Sequence, residues 1–186
     1  MAPTLGIDEL EKLFDFRTSP TSLQEGRSFL AALARESAFL NARVFPLLEQ
    51  AEKGRDWYVA YRHDAPDSSY SLQVFVWPSG SRTEIHDHSS WGAFCCVVGS
   101  VLETRYERLD DRLRPNRARL KKDWQLMWSL EDGISTVLPY DGGIHRIGNP
   151  TGEPAISVHL YGPRLGEVDG RDYDPSRAYV CDRREV

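Results

Sequence analysis

Apolar positions in the first fifty residues recur at helical spacing, beginning with Ile7, Leu10, Leu13 and Phe14. Ser22-Leu-Gln-Glu25 then has the form of a capping box, opening a helix with Phe29, Leu30 and Leu33 as its apolar positions. A third helical stretch is predicted from Phe39 to Ala51, broken or bent at Pro46, whose ring and missing N–H do not fit a straight helix. After Gly54 the pattern changes. Short runs rich in aromatic and β-branched residues predict strands near Trp57–Arg62, Tyr70–Trp77, Thr83–His88, Ala93–Val98 and Leu102–Arg108. Further strands are predicted near Trp124–Trp128, Ser135–Leu138, His145–Gly148 and Ala155–Tyr161. Turn-formers such as Ala65-Pro-Asp-Ser68, Pro78-Ser-Gly-Ser81 and Asn149-Pro-Thr-Gly152 separate them. Many short strands at this spacing predict a sandwich or barrel, hence a mainly β fold preceded by helices. The expected layout is one domain over residues 1–186. It has a helical part at 1–53, a β-barrel at 54–165 and a C-terminal tail at 166–186, with the charged stretch 109–123 as a solvated connection.

With 186 residues, 40% of them hydrophobic and 27% charged, the chain can bury a sizeable core. A net charge of −5 gives no general attraction for nucleic acid or an anionic membrane. No apolar run approaches the roughly 20 residues that span a bilayer, and the opening MAPTLGIDELEKLF does not have the pattern of a secretory signal. Cys95, Cys96 and Cys181 cannot all pair, which predicts reduced, buried thiols. The expectation is a cytoplasmic protein, monomeric or a small homo-oligomer, with neither nucleic acid nor membrane among its partners.

Two of the five histidines stand in Ile85-His-Asp-His88. On an extended strand, residues two apart face the same way, so His86 and His88 can approach one ion together. Taken alone, such a pair is as readily an exposed or hydrogen-bonded one. A second alternation, Ser157-Val-His159-Leu-Tyr161, puts a hydroxyl, an imidazole and a phenol on one face of a strand, in line for a hydrogen-bond relay.

The glycines around these histidines resemble the two signature motifs of the cupin superfamily. Gly80, His86, His88, Gly92 and Gly99 match the first; Gly133, Pro139, Gly142, His145 and Asn149 match the second. The resemblance implies a double-stranded β-helix, with His145 as third metal ligand on the facing strand. Where the common pattern has a ligating glutamate, this chain has Gly92. Three neutral imidazoles leave the charge of a divalent ion uncompensated and favour an anionic ligand such as a thiolate. Imidazole itself suits iron, zinc, copper or nickel.

Adding Trp91-Gly92, His145-Arg-Ile-Gly-Asn149 and Ser157-Val-His-Leu-Tyr-Gly162, the chain resembles the thiol dioxygenases, the group of cysteine and 3-mercaptopropionate dioxygenases. That resemblance implies Fe(II) on His86, His88 and His145, with Tyr161 beside it and His159 and Ser157 behind. Its reactants would be O2 and a small thiol such as 3-mercaptopropionate, cysteine or mercaptosuccinate, and its product a sulfinic acid. The cysteine that cross-links to the relay tyrosine in mammalian members aligns with Gly92, so no cross-link is expected. Cysteine-specific members carry a carboxylate-binding arginine on an early strand, which aligns here with Ala60. Arg62 would share its face on a regular strand, and Arg171 and Arg164 are the other candidates. Trp77 and Trp91 are candidate cavity walls, and Gly162-Pro163 is a candidate cis peptide. Two other readings stay open: a cupin metalloenzyme acting on a non-thiol, and a non-catalytic small-ligand-binding cupin.

Overall fold

The computed structural model describes residues 22–51, 56–165 and 168–183; the expected helix around Ile7 to Phe14 lies outside the described residues. The capping box forms as predicted. Glu25 N–H donates to Ser22 Oγ at 3.3 Å, Ser22 N–H donates to the Glu25 carboxylate at 3.1 Å, and together they open a helix over Leu23–Leu33. The stretch beyond Phe39 is a succession of turns: a π-turn at Leu40–Val44, a 3-10 turn at Phe45–Leu47 and an α-turn at Leu48–Ala51. Pro46, near the start of the 3-10 turn, has no N–H to continue the preceding ladder.

Eleven strands follow among the described residues. They are β1 Tyr58–Asp64, β2 Ser71–Trp77, β3 Ile85–His86, β4 Gly92–Val98, β5 Val101–Arg108, β6 Leu120–Trp128, β7 Ser135–Val137, β8 His145–Gly148, β9 Ala155–Tyr161, β10 Gly170–Asp174 and β11 Tyr179–Arg183. Every pairing is antiparallel, in two sheets ordered β1-β2-β9-β4-β7 and β11-β10-β3-β8-β5-β6. The mainly β architecture expected from the strand spacing is the one found.

Two expectations need correction. The 166–186 segment holds the β10–β11 hairpin, which extends the sheet carrying β3 and β8. Strand β6 begins at Leu120, inside the stretch read as a solvated connection. Both misreadings have one cause. β6 and β11 are edge strands, and the Lys121, Lys122 and Asp123 side chains are exposed, so no apolar alternation marks them.

The five-stranded sheet is buried on both faces. The helix packs across β4 and β9, placing Leu30 and Leu33 in one cluster with Val74, Cys95, Val158 and Leu160. On the opposite face Phe75, Trp77, Phe94 and Ile147 form a second cluster. Burial of Cys95 and Cys96 pushes their thiols up to about 11 and about 12, so they remain protonated, inert packing groups.

Candidate metal centre and its cavity

Antiparallel pairing sets His86 of β3 directly opposite His145 of β8. His88, two residues on, turns toward the same point, with its Nε2 3.1 Å from Nε2 of His145. The ligand atoms of all three histidines lie within 4.8 Å of one another. Two nitrogens at about 2.1 Å from one ion and at right angles are about 3 Å apart, so the spacing fits neighbouring positions on one ion. The ring tautomers agree. His86 Nδ1 sits 3.0 Å from the Glu84 carbonyl and His145 Nδ1 2.8 Å from Glu103 Oε1, so each donates its N–H outward and keeps Nε2 for the ion. Burial, then a neighbouring histidine (His145 for His86, His86 for His88), holds both well below the usual histidine range. Burial likewise lowers His145 against the opposing pull of Glu103. All three are therefore neutral and available as ligands at pH 7.

No sequence reading singled out Glu103. It lies on β5, is 0% exposed, and accepts from His145 Nδ1, Arg105 Nε at 2.7 Å, Trp128 Nε1 at 3.0 Å and Ser135 Oγ at 2.6 Å. Burial alone would raise its pKa, but the His145 hydrogen bond and the Arg105 charge outweigh that and keep the carboxylate ionised. The protein thus places a negative charge one imidazole away from any ion the histidines would hold, rather than in contact with it. The signal was present as a lone glutamate at an inward β5 position, between the buried Val101 and the half-buried Arg105.

Asp87, between the two ligand histidines, is also 0% exposed. It accepts from Arg171 N at 2.7 Å, Arg171 Nε at 2.8 Å and the Tyr173 hydroxyl at 2.7 Å, which locks β10 onto the His-Asp-His segment.

The relay faces inward as the alternation predicted. Ser157 Oγ lies 2.7 Å from His159 Nε2, and His159 Nδ1 lies 3.2 Å from the Tyr161 hydroxyl. Trp77 extends it, donating Nε1–H to Ser157 Oγ at 2.7 Å. Donor direction follows by elimination. Indole only donates, and the fully buried Ser157 hydroxyl must send its hydrogen onward to His159 Nε2. His159 then carries its proton on Nδ1 and donates to Tyr161, which leaves the phenolic O–H free to point into the cavity. Burial pushes the Tyr161 hydroxyl well above its usual range, so it stays a neutral donor, with its ring 4.9 Å from that of His88.

Burial also drives His159 down to about 3. An unfolded histidine titrates near pH 6.5, so between those values the unfolded chain binds more protons than the folded one. Stability is then complete above about pH 6.5 and declines as pH falls toward 3. The metal-free protein is expected to lose about 2 kcal/mol from this one group between pH 7.5 and 5, read by urea unfolding. His159→Gln should shrink that loss; an unfolding free energy unchanged over this range would contradict the buried neutral imidazole.

His86, His88, His159 and Tyr161 line a cavity of about 910 Å³. Trp77 is part of its wall, whereas Trp91 packs in the outer core against Gly26 and Gly162. Arg62 reaches the cavity by a route the regular-strand reading did not contain. A bulge between Val59 and Tyr61 shifts the phase of β1, so Trp57, Val59, Arg62 and Asp64 line the cavity while Ala60 joins the outer core. Arg164 also lines it and pairs with Asp169 at 2.9 Å. Arg171 does not line it; its guanidinium is held by Asp87 at 2.6 Å and Asp141 at 2.9 Å. Gly92 stands opposite Tyr161, and a Cβ there would lie 3.1 Å from the tyrosine ring, the place where a cross-linking side chain would sit. Cys95 and Cys96 are unpaired, and the Gly162-Pro163 peptide is trans, not cis.

A family model described as cysteine dioxygenase type I matches residues 23–175. Cysteine dioxygenase type 1 of Danio rerio and that of Homo sapiens are each 28% identical to this chain over 102 residues, covering 54% of this chain and 48% of the relative. The match spans about half the length of these relatives. Among solved structures, a Cupin 2 conserved barrel domain protein from Salinispora arenicola superposes with a TM-score of 0.39 at 13% identity, over 57% of this chain and 73% of that one.

Proposed function

Since the chain belongs to the cysteine dioxygenase type I family, we propose that it is a non-haem Fe(II) thiol dioxygenase, converting a small mercapto-carboxylate and O2 into the sulfinic acid. The overall change, R–SH + O2 giving R–SO2H, balances without a further reductant. The carrying observation is the meeting of three neutral imidazoles, His86, His88 and His145, with no carboxylate among them. Such a donor set retains the full positive charge that draws a thiolate to the ion. Iron bound there would lower the thiol pKa and supply the redox chemistry that joins sulfur to oxygen. The remaining work falls to the chain. Trp77, Ser157 and His159 orient the Tyr161 hydroxyl as a donor to the charged or oxygen-bearing part of the reacting group. Phe75 and Trp77 line the cavity beside the relay and make its wall apolar there. The unpaired cysteines fit a reducing compartment, and cytoplasmic action is part of the proposal.

The test is O2 uptake and sulfinate formation by iron-loaded protein with 3-mercaptopropionate, cysteine, mercaptosuccinate and cysteamine. Tyr161→Phe should keep its iron while turnover falls about 10- to 100-fold, the value of one hydrogen bond to a charged group. Full activity in Tyr161→Phe would sink the relay assignment. Absence of thiol-dependent O2 uptake across the panel would sink the dioxygenase reading.

A further inference from the structure

The end of β5 and the loop leading to β6 concentrate positive charge in a chain whose net charge is −5: Arg108, Arg112, Arg114, Arg117 and Arg119 all fall there. The loop is tied down. Leu109 N–H donates to the Arg119 carbonyl at 2.8 Å, and Arg119 N–H to Asp110 Oδ1 at 2.8 Å. Its other side is pinned to the β10–β11 turn, where Ala118 N–H donates to the Ala178 carbonyl at 3.1 Å and Val180 N–H to that of Asn116 at 3.3 Å. Loop and turn together enclose a shallow pocket of about 340 Å³, lined by Leu109, Ala118 and Ala178 and by Arg114, Arg117 and Arg119. Asp110 and Asp111 complete the lining, but both are occupied by the loop itself. Asp110 accepts from Arg108 Nε at 3.0 Å and from the N–H groups of Arg112 and Arg119, and Asp111 accepts from Leu113 N–H at 3.1 Å. The neighbouring charges are engaged too. Arg108 and Arg112 both reach Asp141, Arg177 lies over the Tyr179 ring, Asp174 accepts from Ser176, and Glu107 stands opposite Lys121 in the β5–β6 ladder. Arg114, Arg117 and Arg119 differ. They are exposed, and their guanidinium groups hold no ion pair or hydrogen bond with another described residue.

We propose that this pocket binds a phosphate-bearing small molecule, at a site separate from the metal centre. A guanidinium presents a planar fork of N–H donors that matches phosphate oxygens. A phosphate offers three strong acceptor oxygens and up to two charges, so it can engage several such forks at once; a lone carboxylate has fewer oxygens to share among them. The pocket's volume stands near the lower end of the roughly 300–1,000 Å³ usual for small-molecule sites. That size suits a compact phosphate ester, and the net charge of −5 disfavours a nucleic-acid strand. No residue of this pocket lines the metal-site cavity, so the proposal stands apart from the dioxygenase reading.

The experiment is isothermal titration calorimetry of the full chain at about 0.15 M salt, with ribose 5-phosphate, inorganic phosphate and ribose as probes. Both phosphates should bind one-to-one and ribose should not; the tighter of the two tells whether an ester or the free ion is the ligand. Arg114→Gln and Arg117→Gln should each weaken binding roughly tenfold and leave the urea midpoint unchanged, because both side chains are exposed. Arg117→Lys should recover part of the loss, keeping the charge without the fork. His145→Ala should bind as wild type does, which separates this pocket from phosphate taken up by an ion at the histidines. Lys121→Gln removes a basic residue outside the pocket and should change binding by less than about twofold. No binding of either phosphate at this salt overturns the proposal. So does binding that ignores both arginine variants, that falls as far in Lys121→Gln, or that vanishes in His145→Ala.

Discussion

His145→Ala is expected to purify without iron and to show no thiol-dependent O2 uptake. The ring is 2% exposed and is the contribution of β8 to a site otherwise made by the β3 segment alone. His86 and His88 would remain, but two imidazoles from one segment grip an ion from one side only. The variant should still fold, because Glu103 keeps Arg105, Trp128 and Ser135 as partners. The checks are metal content by elemental mass spectrometry and the urea midpoint. A variant that folds and retains stoichiometric iron would remove the three-imidazole premise.

Glu103 is expected to carry the next largest effect, in two separable ways. Glu103→Gln keeps the volume but loses the charge behind His145, and its amide N–H cannot accept from any of the four donors around it. Weakening a buried hydrogen-bond partner of a metal-ligating histidine costs on the order of 10- to 100-fold in metal affinity. Competition with a chelator would measure this directly. Glu103→Leu should go further and destabilise the fold by about 3–5 kcal/mol, since it leaves the largely buried Arg105 charge without its carboxylate. Should Glu103→Gln bind iron as tightly as wild type, the carboxylate serves packing alone.

The legible parts of this chain were those where chemistry and period coincide. His86 and His88, and Ser157, His159 and Tyr161, come together as grouped in the sequence because β-structure repeats every two residues and each set is chemically distinctive. The capping box at Ser22 was legible for the same reason: a local rule with both partners in sequence range. What escaped depends on partners distant in the chain or on broken periodicity. Glu103 looked like any strand glutamate until β5, β7 and β8 brought His145 and Ser135 to it. The bulge that passes over Ala60 is invisible to an alternation that assumes regularity, yet it decides that Arg62 faces inward. Strand β11 was hidden because it is polar and at an edge. Its one local hint was Asp174-Pro175-Ser176, where Asp174 accepts from Ser176 N–H at 3.0 Å to make the hairpin turn.

Strand β9 is a wall shared by two rooms. Its Val158 and Leu160 are gripped by Leu30 and Leu33 of the helix, while its alternate residues carry the proton-donor line ending at Tyr161. Loosening the helical layer from outside therefore slackens the aim of a hydroxyl on the other side of the sheet, with no atom of the cavity replaced. Warming or trimming that layer should slow the proposed thiol-dependent O2 uptake before the barrel itself gives way.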